Sequence, residues 1–152
     1  MGLDSYTGII VVGYGGKLLI GPNYICSQPE NIKADVIIAT SDKNECPRVE
    51  GKRHWHFEVK NRDNSNSRYQ YRAAVEQVND SLLVGKRVLV HSPEHDRGNV
   101  VVAGALFMIK AYPSFEDALW HVVKKHNSGK PLKELIEMAQ SVLYDKPILN
   151  AP

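Results

Sequence analysis

The chain has 152 residues and a mass of 17.0 kDa, enough for one domain and too short for two of ordinary size. Hydrophobic residues make up 43% and charged residues 24%, a globular composition that excludes wholesale disorder. Nineteen Lys and Arg stand against seventeen Asp and Glu, and a formal charge of +2 does not mark a nucleic-acid or membrane-surface protein. No apolar run approaches the ~18 residues that a bilayer span needs, and the amino terminus lacks a signal peptide's basic-then-apolar order. A chain of the cytoplasm or nucleus, not secreted, is expected. The start Met1-Gly2-Leu3-Asp4-Ser5-Tyr6 misses the myristoylation pattern at Tyr6. Cys26 and Cys46 are too few for a disulfide framework and match no metal knuckle, so they read as free thiols in a reducing compartment.

In chain order, Gly8 to Val12 is β-branched and reads as a strand. Gly13 to Gly16 then turn the chain into a second strand, Leu18-Leu19-Ile20. A dinucleotide fingerprint would need glycine where Leu18 stands, so the glycines serve a turn. Ser27, Pro29 and Glu30 form a capping box that opens a short helix. Asp35 to Thr40 is a buried-strand run, followed by a polar loop from Ser41 to Lys52. His54 to Val59 reads as a strand, and residues 61–67, rich in turn and cap formers, as a loop. Tyr71, Ala74, Val75, Val78 and Leu82 recur at helical spacing, with Gly85 placed to end that helix.

Arg87 to His91 is the strongest strand signal in the chain. A loop from Ser92 to Arg97 leads into an apolar helix from about Gly98 to Lys110, stopped by Tyr112-Pro113. Ser114 with Asp117 caps a helix to about His126, and a last helix runs from about Leu132 to Leu143. The alternation of strands and helices predicts a single α/β domain over 1–152, with a mostly parallel central sheet of about five strands flanked by helices. A strand feeding a loop and then a helix amino terminus is where such folds bind ligands.

Two metal readings compete at this stage. His91-Ser92-Pro93-Glu94-His95 fits the H-x-x-E-H zinc-peptidase motif, but Pro93 forbids a helix running through from His91. His54 and His56 alternate on one strand face and, with Cys46, offer a weaker ligand set; a half-exposed strand explains them as well. His121 and His126 read as solvent-facing helix residues, and Trp55 and Trp120 as core or interface aromatics.

Gly85-Lys86-Arg87-Val88-Leu89-Val90-His91 resembles the approach to the active-site loop of the dual-specificity protein phosphatases, written V-L-V-H-C-x-x-G-x-x-R-S/T. Ala105 and Met108 fall at the matching positions of the helix that follows. Leu18 to Gly21 resembles the early L-Y-L-G segment, Val36 to Thr40 the second core strand, Val59 to Asp63 the segment ending in the general-acid aspartate, and Ser114 to Leu119 a later helix start. The resemblance covers about residues 17–143 and implies the family's five-stranded fold, with no cofactor and no metal.

The departures concern the chemistry itself. The family's nucleophile is a cysteine held as a thiolate by backbone N–H groups and a helix dipole. Ser92 stands there, and a hydroxyl is not ionised near neutral pH without an adjacent base. His95 occupies the loop-glycine position, Gly98 that of the phosphate-binding arginine, and Asn99 that of the Ser or Thr after it; of the signature, His91 survives. Arg97 lies one residue early for the clamp. Glu94 and Asp96 put two carboxylates in the loop, and one such charge ~6 Å from a phosphate charge costs roughly 3 kcal/mol at an effective dielectric near 20.

These departures lead to the expectation of a catalytically inactive phosphatase-like domain, a pseudophosphatase. It would bind a protein, phosphorylated or not, at residues 91–99 or elsewhere on its surface. No nucleic acid and no membrane is expected as partner. The alternative is an active, or a substrate-trapping Cys→Ser, protein phosphatase that uses Asp63 and Arg97. A zinc-dependent hydrolase is the remote third.

Overall fold

A computed structural model describes residues 10–13, 15–22, 33–40, 50–60, 63–92, 95–126 and 128–144. Five strands form one sheet: β1 (Ile10–Gly13), β2 (Leu18–Pro22), β3 (Val36–Ala39), β4 (Arg53–His56) and β5 (Val88–Ser92). Their order is β1-β2-β5-β3-β4. β2, β5, β3 and β4 run parallel, while β1 is an antiparallel edge strand with a bulge between Val11 and Gly13. Four helices are described, α1 (Ser65–Leu83), α2 (His95–Met108), α3 (Phe115–His126) and α4 (Lys133–Tyr144). The predicted single α/β architecture is the observed one. The capping box at Ser27, Pro29 and Glu30 lies outside the described residues.

The period-2 alternation of each strand divides the sheet into two faces. Leu18, Ile20, Val36, Ile38, Val88 and Val90 point to one of them and form the main core with the helices. Leu19, Ile37, Ala39, Leu89 and His91 point to the other and are also buried. The central strands therefore carry apolar side chains on both faces, which is why they read as unbroken β-branched runs rather than alternating ones.

Several boundaries depart from the sequence reading. α1 begins at Ser65, inside the stretch predicted as loop, because Asn64 is its cap: the Asn64 Oδ1 accepts from the Ser67 N–H at 2.8 Å. Cap formers mark the start of a helix as readily as a turn. β4 ends at His56 rather than Val59: after Phe57 N–H donates to the Ala39 carbonyl, Val59 N–H donates back to Phe57, a three-residue turn that leaves the sheet. α2 starts at His95, three residues early, and ends at Met108.

The two long helices end alike. Gly85 (φ +83°) and Lys110 (φ +63°) adopt the left-handed conformation while the next N–H closes a six-residue ring, Lys86 to Ser81 and Ala111 to Leu106. Gly85 stops α1 as expected; Lys110 stops α2 before Tyr112-Pro113 is reached.

α2 is the central helix. Val100, Val101, Val102, Ala103 and Ala105 are all fully buried. It packs on β5 and β2 and against the other three helices. Tyr71 of α1 reaches across it and donates from Oη to the Val100 carbonyl at 2.8 Å, with burial raising the phenol's pKa well above its ordinary value. Gly104 makes this approach possible: a Cβ there would strike Tyr71 Oη and come within 3.0 Å of Val75 Cγ2. Gly104→Ala is expected to lower the unfolding free energy by about 2 kcal/mol, although alanine is the better helix former by about 1 kcal/mol. Adding Tyr71→Phe should restore part of the loss by removing the struck hydroxyl. Equilibrium urea denaturation checks both; an alanine variant as stable as the parent would contradict this packing.

Candidate functional site

The candidate site lies where β5 hands over to α2. Strand pairing on both sides fixes the end of β5: Gly21 and Pro22 of β2 pair with His91 and Ser92, and Ala39 of β3 pairs with His91. Beyond the sheet the Thr40 N–H and hydroxyl both reach the His91 carbonyl, at 3.1 and 3.2 Å. His91 and Ser92 then point to opposite faces.

Ser92 points toward α2 and is buried, 2% exposed. It belongs to the strand rather than to the loop that was predicted to begin there. A Cβ at Gly98 would sit 3.4 Å from Ser92 Oγ and 3.5 Å from Ile20 Cδ1. A methyl group fits there in ordinary contact; a longer side chain would have to push between the Ser92 hydroxyl and Ile20. Arg97 is half-buried in the first turn of α2. His95 and Asp96 belong to the same turn, and Pro93 and Glu94 lie outside the described residues.

Asn99, fully buried, ties α2 to the far end of α3. Its Nδ2 donates to Ser128 Oγ at 2.8 Å, which leaves Oδ1 to accept from His126 Nδ1 at 2.9 Å. His126 therefore carries its proton on Nδ1 and is buried, not solvent-facing as its helical position suggested. His121 is likewise engaged, its Nε2 donating to the Val12 carbonyl at 2.8 Å while its ring packs on Tyr112. Nothing in the spacing of these histidines betrays their partners, which are 27 and 109 residues away in sequence.

Asp63 caps a different set of contacts. Arg68 donates to both Asp63 carboxylate oxygens, at 2.7 and 3.1 Å, and the Asp63 backbone N–H donates to Glu134 Oε2 at 3.0 Å. The hydrogen bond from Arg68 is the main cause of a pKa below the ordinary carboxylate value, with burial opposing and the Arg68 charge assisting. A general acid must hold a proton near neutrality, and this carboxylate is held as the ion. Asp63 and Arg68 thus form an ion pair at the head of α1.

The zinc-peptidase motif fails on geometry, because His91 is a strand residue and His95 opens the following helix, so the two do not share a helix face. Among the described residues no three His, Cys, Asp or Glu side chains converge as a metal would require. His54 and His56 do share a face, with Cys46 outside the described residues. Of the two tryptophans, Trp55 is 37% exposed and stacks on Phe57, whereas Trp120 is 68% exposed and is not a core residue. Trp120 lines a groove of about 800 Å³ between α3 and α4, with Leu119, Val123, Pro131 and Ile136.

No family model matches the sequence, and no curated protein resembles it significantly. Solved structures do. The chain superposes on human DUSP28 with a TM-score of 0.76 at 14% identity, covering 92% of this chain and 95% of that one. It matches DUSP15 with a TM-score of 0.70 at 14% identity, over 86% and 85% of the two chains. It also matches the human tyrosine phosphatase-like serine/threonine/tyrosine-interacting protein with a TM-score of 0.63 at 18% identity, over 88% and 93%. The chain has the dual-specificity phosphatase fold.

His91 lies on the face opposite α2, in register with Ala39 and His56, with His54 two residues back on β4. Burial is the main reason its pKa falls from 6.5 to about 4, and the neighbouring His54 and His56 charges add to it. The unfolded chain takes up this proton near pH 6.5 and the folded chain only near 4. Between these values the unfolded state binds more protons, so stability falls as pH drops through the window, by at most about 1.4 kcal/mol per unit, and is unaffected above it. Urea denaturation between pH 7 and 4 is expected to show this loss, and His91→Gln to flatten it. An NMR titration placing the His91 ring near 6.5 in the folded protein would contradict the assignment.

Proposed function

We propose that this domain is a phosphatase scaffold without phosphatase chemistry, a pseudophosphatase that works by binding a protein partner. The observation that carries this reading is the pair at the β5–α2 junction. A buried serine hydroxyl stands at the nucleophile position, and a glycine stands where the family's arginine would grip phosphate. An aliphatic hydroxyl needs a neighbouring base to attack phosphorus, and His91, the adjacent imidazole, points to the other face of the sheet. Charge neutralisation of the phosphoryl oxygens ordinarily supplies much of the rate in such reactions, and Gly98 offers no charge for it. Asp63, held as an anion by Arg68, supports the same conclusion for the departing group.

The scaffold itself is sound, so loss of chemistry leaves a stable surface for contact. One of the structures it resembles is described as a phosphatase-like interacting protein, a precedent for this use of the fold. The partner is taken to be a protein, phosphorylated or not, met by a chain of the cytoplasm or nucleus.

The purified domain is expected to turn over an aryl phosphate no faster than a buffer blank, between pH 5 and 8. Ser92→Cys alone is expected to remain at the blank, because a thiolate without the guanidinium lacks half of the machinery. Stopped-flow or endpoint absorbance of released phenolate measures both. Turnover by the parent protein, abolished by Ser92→Ala or Asp63→Asn, would overturn the reading, as would turnover by Ser92→Cys alone.

A further inference from the structure

Every parallel strand of the sheet has a basic residue at its start or within three residues before it, at the end away from the β5–α2 junction. Lys17 precedes β2, Lys33 lies just ahead of β3, Lys52 and Arg53 stand at the start of β4, and Lys86 and Arg87 precede β5. The register places these starts side by side, since Leu18, Val88, Val36 and Arg53 are cross-strand neighbours. Backbone bonds hold the row together: Val88 N–H donates to Lys17 O, Val36 N–H to Arg87 O, and Arg53 N–H to Asp35 O. Lys33, Arg53, Lys86 and Arg87 are exposed. Among the described residues the ion pairs are made elsewhere, on α1 and α4.

The face is basic beyond the chain as a whole, whose formal charge is only +2. Among the described residues its carboxylates are Asp35, which accepts from the Arg87 N–H at 2.9 Å, Glu50, and Asp80 in the last turn of α1. Where α1 ends, the stop at Gly85 leaves Leu83 and Val84 standing out at 68% and 71% exposure, directly before Lys86 and Arg87. Two exposed aliphatic side chains beside a row of cations make a mixed surface. It spans three inter-strand spacings, about 14 Å, the length of four or five extended residues.

We propose that this face docks an acidic segment of a protein partner, one with carboxylates for the cationic row and an apolar side chain for Leu83 and Val84. Charge complementarity selects the carboxylates, and the exposed pair selects the apolar anchor. Asp35 and Glu50, interleaved with the cations, disfavour a uniform polyanion such as a nucleic acid or an anionic bilayer, which meets every charge on the face; a short peptide can place its carboxylates between them. The proposal is independent of the state of the Ser92 pocket, and holds for an active or an inactive domain.

The test uses a fluorescein-labelled peptide of about ten residues, rich in Glu with two Leu, titrated with the full chain and followed by fluorescence anisotropy. Saturable binding that weakens with salt is expected. Lys86→Glu with Arg87→Glu should weaken it about tenfold or more, and Leu83→Ser with Val84→Ser several-fold while leaving the salt slope unchanged. Lys124→Glu with Lys125→Glu, an equal charge change on α3, should leave the affinity within about twofold. Thermal melts verify that each variant is folded. No binding of the peptide overturns the proposal, as does insensitivity to the Lys86/Arg87 pair or equal sensitivity to the Lys124/Lys125 pair. Binding of phosphatidylserine vesicles or single-stranded RNA through this face in preference to the peptide overturns it as well.

Discussion

Close contact between α2 and its neighbours sets the position of everything at the junction. A helix buried on all sides has no freedom to slide: it is wedged between β5 and β2 below and three helices around it, and Tyr71 pins it by donating to its backbone at Val100. The absence of a side chain at Gly104 lets α1 come near enough for that bond. With α2 fixed, Gly98 is held over Ser92, and Asn99 is turned toward His126 and Ser128. One steric fact in the middle of the helix therefore determines the geometry at its head.

The positions packed across that junction, Ser92, Gly98 and Asn99, are uncharged, and Arg97 is a half-buried cation in the same turn of α2. His91 stays unprotonated down to about pH 4, and the ion pair of Asp63 with Arg68 serves the start of α1. Burying uncharged polar groups that find hydrogen-bond partners is inexpensive, whereas burying an arginine with no anion to meet it is not. Asn99 meets that requirement: its bonds to His126 and Ser128 tie the head of α2 to the far end of α3.

Much of this was legible in the sequence, and the rest was hidden for identifiable reasons. The buried strands around Val36–Ala39 and Val88–Ser92 announced themselves because a sheet covered on both faces needs unbroken β-branched runs. The helix over Tyr71 to Leu82 showed because its apolar stripe has one solvated side. The start of α1 at Ser65 did not, since Asn and Ser favour turns and caps equally and only the bond from Ser67 N–H decides between them. The arms of the site that come from afar were invisible: His126 and Asn99 are partners only because α2 and α3 meet in space. The pairing of Asp63 with Arg68 is of the same kind, since motif position says nothing of the neighbour five residues on that lowers the carboxyl's pKa.

The two outer strands have a bearing on how the protein behaves in a crowded solution. An open sheet edge is a template for another chain's strand, and long flat edges seed aggregates. Here β1 is four residues long, kinked by its bulge, and its Val12 carbonyl is occupied by His121 from α3. β4 is equally short, begins with a charged arginine, and is cut off by the tight turn at Phe57–Val59. Among the described residues both margins are blunted, which disfavours growth of the sheet by backbone pairing there and leaves side-chain surfaces as the places of contact.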